Sequence, residues 1–193
     1  MFAAVLDTCV LWPSLQRDFL LSLAAEGVYH PLWSDRILEE LEYEEARKLE
    51  ARRAGADEAR TRAAALIGRM NTAFDDSCVI GWERLDGTYG LPDPDDEHVV
   101  AAAEFAGAEA IVTMNTKDFP ADRLPSSIGS QTPREFALNT VEVSPTAAAV
   151  AVRALADRSG RQGRKRSPQS ILDDLDRMYS MNEATTLIRP LIS

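Results

Sequence analysis

Four acids, Asp7, Glu40, Asp96 and Asp118, are the residues of this chain best suited to chemistry. Each alone has an ordinary explanation. Asp7 closes an apolar run, where aspartate commonly starts a turn. Asp96 opens a helix, where aspartate is a common cap. Glu40 lies on a charged helix, and most glutamates there are simply solvated. Together they form a set of oxygen donors of the kind that Mg²⁺ or Mn²⁺ selects. Such a set suits metal-assisted attack on a phosphate ester.

The elements predicted around these acids bring them to one edge. Phe2-Ala3-Ala4-Val5-Leu6 has the run of a buried strand, with Asp7 at its carboxyl end. Ala110-Ile111-Val112-Thr113-Met114 reads the same way and leads into Asn115 and Asp118. Ligands of an open parallel sheet bind beyond the carboxyl ends of its strands, so both groups face one site. In the helix after Ser34, the apolar stripe is Ile37, Leu38 and Leu41. At about 100° per residue, Glu39 points away from that stripe, while Glu40 borders it with Glu44 as support. In the helix predicted over residues 97–106, the stripe is Val99, Val100, Ala103 and Ala106. Asp96 falls in the middle of that face, and Glu97 and His98 are expected to point away.

The remaining pattern is an alternation of strands and helices. A helix is predicted from Ser14 to about residue 26, stopped by Gly27. Residues 28–33 and 78–82 read as further strands, the first kept off a central position by Pro31. Gly55 separates the helix after Ser34 from a second one carrying Ala63, Leu66, Ile67, Met70 and Phe74 on one face. Thr132-Pro133-Arg134-Glu135 combines a capping box with proline at the first helical position. The expected fold is an α/β/α sandwich around a central parallel sheet over residues 1–140. Beyond it, Ser144-Pro145, Ser167-Pro168 and Asn182 open helices of a C-terminal helical extension, residues 141–193.

Composition narrows the function classes. With 193 residues, 45% apolar and 27% charged, the chain can bury a core without disulfide staples. Cys9 and Cys78 are too few for a cysteine zinc site, and a reducing, cytoplasmic setting with no membrane segment is expected. Cys78 is expected to be a small buried apolar residue, and Trp12, Trp33 and Trp82 core or interface residues. With only His30 and His98, and His98 expected outside the site, a paired-histidine ribonuclease is disfavoured. No glycine-rich phosphate loop follows the first strand. The net charge of −10 opposes a nucleic-acid partner, although cations bound to an acid cluster would offset part of it. The basic residues are uneven: Arg158, Arg161, Arg164, Lys165 and Arg166 crowd together. That stretch is either an RNA contact or a solvated loop.

The motifs resemble those of PIN-domain nucleases, and among them the toxins of VapBC-type toxin–antitoxin pairs. They are Val5-Leu6-Asp7-Thr8-Cys9, Ser34 with Glu40-Leu41 six residues on, Asp93-Pro94-Asp95-Asp96 before an alanine-rich face, and Thr113-Met114-Asn115-Thr116-Lys117-Asp118-Phe119. The resemblance covers about residues 2–138. Cys9 stands where the family usually has asparagine, and Asn115 replaces the first aspartate of the last motif. The resemblance implies one or two Mg²⁺ or Mn²⁺ ions held by Asp7, Asp96 and Asp118. Glu40 then completes the catalytic set, Asp93 and Asn115 support it, and Thr8 and Thr113 orient oxygens. It also implies RNA as substrate, a small antitoxin protein as partner, and a homodimer. Two other readings stand beside it. A haloacid-dehalogenase-type phosphatase also begins with a strand-terminal aspartate, but needs a second one where Cys9 stands. A PIN-fold binding module with a degenerate metal site would keep the fold without the chemistry.

Overall fold

The computed structural model describes residues 2–160 and 165–192. Among them the fold is α/β, with a five-stranded parallel sheet flanked by helices and further helices at the C-terminus. The strands are β1 (Ala3–Leu6), β2 (His30–Ser34), β3 (Cys78–Val79), β4 (Ala110–Val112) and β5 (Gly129–Gln131), in spatial order β3-β2-β1-β4-β5. β1 pairs in parallel with β4, Val5 opposite Ile111, and β2 with β3, Trp33 opposite Cys78. β1 and β4 are nearly continuous apolar runs because both faces are covered.

Pro31 does not push β2 to an edge, contrary to the sequence-based expectation: β2 lies between β3 and β1. The hydrogen-bond pattern gives the reason. Successive N–H groups of a strand point to opposite sides, and here His30 N donates to Phe2 O at 2.9 Å while Trp33 N donates to Ser77 O at 3.1 Å. Pro31 shares the parity of Trp33, so its missing donor faces the β3 side. β3 begins only at Cys78, opposite Trp33, and leaves no ladder bond for residue 31 to make. β3 is also shorter than expected, since Trp82 already precedes a 3₁₀ turn, Glu83–Leu85. β5 was not anticipated, because Gly129-Ser130-Gln131 carries no apolar pattern.

The helices are α1 (Thr8–Leu11), α2 (Ser14–Ala25), α3 (Asp35–Ala51), α4 (Ala56–Ala73), α5 (Glu97–Ala106), α6 (Pro133–Val143), α7 (Pro145–Arg158), α8 (Pro168–Tyr179) and α9 (Asn182–Ile188). Ser34 caps α3 by accepting from Ile37 N at 3.2 Å. Gly107, at φ 67°, ends α5 in the left-handed conformation that glycine adopts without strain. The capping box of α6 is present, with Thr132 and Glu135 exchanging bonds. No described helix is long and apolar enough to cross a membrane.

Two compact units divide the chain. One holds residues 1–2, 13–30 and 131–193; the other holds 3–12 and 31–130. The first is helical: α2 packs on α7, α6 on α9, and α7 on α8 and α9. The second carries α3 packed on α4 and α5 packed on β1, β3 and β4. Val99 to Ala103 of α5 have no exposed surface, and their small side chains let this helix lie close on the sheet. Every candidate acid belongs to this second unit.

Candidate active site

Asp7 is fixed by the strands on which it depends. Its backbone N–H donates to Val112 O at 3.0 Å, tying the end of β1 to the end of β4. Its carboxylate is buried, and Oδ2 accepts from Thr113 Oγ1 at 2.8 Å and from Cys9 Sγ at 3.0 Å. Cys9 in turn accepts from Met114 N at 3.2 Å. Burial, reinforced by the charge of Asp7, pushes the Cys9 thiol up to about 12. It therefore stays an S–H donor to Asp7 rather than a thiolate. Thr113 Oγ1 also accepts from Asn115 N at 3.1 Å, which shapes the turn after β4. In that turn the Asn115 side-chain amide donates to Asp118 Oδ2, so Asn115 acts as a donor to the neighbouring acid.

Glu40 is tethered at both oxygens. Oε2 accepts from Thr8 Oγ1 at 2.8 Å, and Oε1 lies 3.3 Å from His98 Nε2 and 3.5 Å from Arg36 Nε. Burial raises its proton affinity, but the bonds from His98 and Thr8 and the charges of His98 and Arg36 outweigh burial, and its pKa falls below the usual value. Glu39 is exposed, as helical geometry requires. Glu44 accepts from Arg47 at 2.9 Å on the surface of α3.

Asp96 is half-buried just before α5 and makes no capping bond with its side chain. Asp93 does the local capping instead, accepting from Asp95 N at 3.0 Å. Burial, then repulsion from Asp7, Asp93 and Asp118, raises the Asp96 carboxyl to about 6, against a smaller opposing influence of His98. Asp7, Asp93, Asp96 and Asp118 thus share one electrostatic neighbourhood. Among the described residues, no three His, Cys, Asp or Glu side chains are already drawn to coordination spacing.

Two residues near the site were misplaced by the helical-wheel reading. Glu97 and His98 do not point away; they are 3% and 2% exposed. Residues 99–103 are apolar all round, and a helical stretch of that kind is enclosed rather than half-solvated, so α5 meets solvent only in its last turn. That uninterrupted apolar stretch was the available signal. Glu97 accepts from Tyr89 N at 2.9 Å and Leu91 N at 3.0 Å, closing the loop that leads to Asp93. Cys78 is half-buried rather than buried, and Trp12 is 40% exposed while Trp33 and Trp82 are enclosed.

The basic stretch lies in the other unit. Arg161 and Arg164 are outside the described residues. Arg158 donates to Ser22 Oγ at 2.7 Å, Arg166 is paired with Asp174, and Lys165 is exposed.

A family model described as PIN domain matches residues 3–117 of the chain. The match runs from β1 through the turn after β4 and takes in Asp7, Glu40, Asp93, Asp96 and Asn115. Comparisons with curated proteins and with solved structures give no match.

Proposed function

The chain belongs to the PIN-domain family, whose members are generally nucleases, and on that premise we propose that it is a Mg²⁺- or Mn²⁺-dependent endoribonuclease. The observation that carries this reading is the crowding of Asp96 by Asp7, Asp93 and Asp118 beyond the ends of β1 and β4. Like charges in a half-buried setting repel unless a cation offsets them. The donors are all carboxylate oxygens, which fits a hard divalent ion, although among the described residues no three of them stand at coordination spacing.

Asp7, Asp96 and Asp118 would hold the ion. When bound, it would polarise a phosphoryl oxygen and acidify a water. The chain supplies the rest. Thr113 and Cys9 hold the Asp7 carboxylate by Oδ2. Glu40 remains ionised at neutral pH, so its carboxylate can orient a water toward phosphorus and take up its proton. Asn115 steadies Asp118. Lys165, with Arg161 and Arg164, can meet the phosphate backbone of the RNA.

The motif resemblance supports a finer reading: the toxin of a VapBC-type pair, cytoplasmic, homodimeric and neutralised by a small antitoxin protein. Growth arrest on expression, relieved by the product of a neighbouring small reading frame, would support it, and growth unaffected by expression would count against it. The enzymatic reading is tested by incubating purified protein with single-stranded RNA and DNA of the same sequence, with Mg²⁺, with Mn²⁺ and with excess EDTA. Internal RNA cleavage that stops in EDTA is expected. Cleavage of neither strand would favour the second reading, a PIN-fold binding module, to which the donor role of Asn115 and the open spacing of the acids lend some weight.

A further inference from the structure

His98 takes no part in the acid set, yet it reaches into it. Its side chain is 2% exposed, and Nε2 lies 3.3 Å from Glu40 Oε1. Nδ1 has no hydrogen-bond partner among the described residues. Nε2 is therefore the ring nitrogen placed to donate, and Glu40 is the polar group that it faces. The ring is walled by Trp82, with ring centroids 6.0 Å apart, and Trp82 is itself pinned by its indole N–H on Asp35 Oδ1 at 3.0 Å. Asp35 begins α3, the helix that carries Glu40. The imidazole is thus clamped from the same helix whose glutamate it contacts.

The consequence concerns aim. Glu40 is half-buried, and a glutamate side chain on a helix has three rotatable bonds. Thr8, next to Asp7, holds Oε2, and His98, two residues after Asp96, holds Oε1. The carboxylate is thereby referenced to the elements that carry Asp7 and Asp96, rather than to its own helix alone. Arg36, at 3.5 Å and on an exposed side, is a weaker restraint. Buried, singly committed donors of this kind fix the orientation of a functional group more than they stabilise the fold.

We infer that His98 is a positioning residue, which orients the Glu40 carboxylate toward the site through its Nε2–H. The inference rests on the nuclease reading above. It is tested with His98→Gln, His98→Asn, Glu40→Gln and the Glu40→Gln/His98→Asn double variant. A glutamine amide nitrogen sits near the place of imidazole Nε2, whereas that of asparagine sits near Nδ1, so only His98→Gln retains a donor facing Glu40. Kinetics of RNA cleavage, Mn²⁺ titration and the ¹⁵N resonance of His98 Nε2 in the metal-free protein are read together.

His98→Asn is expected to lower kcat on the order of tenfold with KM little changed. His98→Gln is expected to lose severalfold less, and the double variant is expected to be no slower than Glu40→Gln alone. The Nε2 resonance is expected to shift in Glu40→Gln. Equal losses in His98→Gln and His98→Asn, additive losses in the double variant, or an unmoved Nε2 resonance would each reduce His98 to a core side chain. Wild-type protein that neither binds Mn²⁺ nor cleaves RNA would overturn the nuclease reading itself, and the positioning role with it. Should the asparagine variant fail to fold, the glutamine variant and the resonance shift still decide.

Discussion

At the scale of single residues, the acids differ in what surrounds them, and the differences are measurable. The Asp96 carboxyl is raised to about 6 by burial and by its acidic neighbours, so its charge opposes folding of the metal-free protein. Stability from this group is fully present below the ordinary aspartate range and is lost as pH rises through about 6. Asp96→Asn removes that loss. In EDTA its thermal midpoint should exceed that of wild type at pH 8, with the gap closing toward pH 4, while RNA cleavage is abolished. A variant less stable than wild type at pH 8 would contradict the crowding. Glu39 and Glu40 give a paired test on one helix. Glu40→Gln should reduce kcat on the order of a hundredfold, the lower part of the range for general acid–base groups. Glu39→Gln should leave it unchanged, since that side chain is exposed. That Asp7, Asp96 and Asp118 lie near one another was legible, because strand ends and a helix start place them on one edge. Hydrogen bonds that reach between elements were not, because nothing in a single sequence pairs Thr8 with Glu40 or Thr113 with Asp7.

At the scale of elements, the site depends on the turn into α5 as much as on the helix. Burial alone would raise the Glu97 carboxyl, but backbone N–H groups of Tyr89, Leu91 and Gly90 outweigh it and hold its pKa below the usual value. A depressed carboxyl contributes stability above its unfolded pKa, and that contribution is lost as pH falls through the folded value. Glu97→Gln keeps the shape but has fewer acceptor positions for these donors. It should cost about 1–3 kcal/mol in denaturant unfolding at pH 7, with the difference shrinking in acid. It should also slow RNA cleavage, because the loop it closes carries Asp93 toward Asp96. Unchanged stability at pH 7 would mean that the loop holds itself. Four of the five strands and most helix starts were readable from apolar runs, Gly55, Gly107 and the Ser-Pro and Thr-Pro pairs. β5 was not, and the position of β2 was misread, because each depends on which neighbour a strand meets rather than on its own composition.

At the scale of the whole molecule, the proposed activity asks a chain of net charge −10 to bind a polyanion. Arg158 and Arg166 are engaged with Ser22 and Asp174 inside the helical unit, so replacing them would disturb packing as well as charge. Replacing Lys165, Arg161 and Arg164 by alanine is the cleaner experiment. RNA affinity should weaken and its dependence on salt should flatten, while Mn²⁺ affinity stays the same. An identical salt slope would return the stretch to the status of a solvated loop. The central claim is that the acids of the PIN fold hold a divalent cation, and calorimetric titration of Mn²⁺ into metal-free wild type and Asp96→Asn tests it most directly. Saturable binding to wild type that is lost in a folded Asp96→Asn variant is the result predicted. No binding to wild type, or equal binding to both proteins, would contradict it.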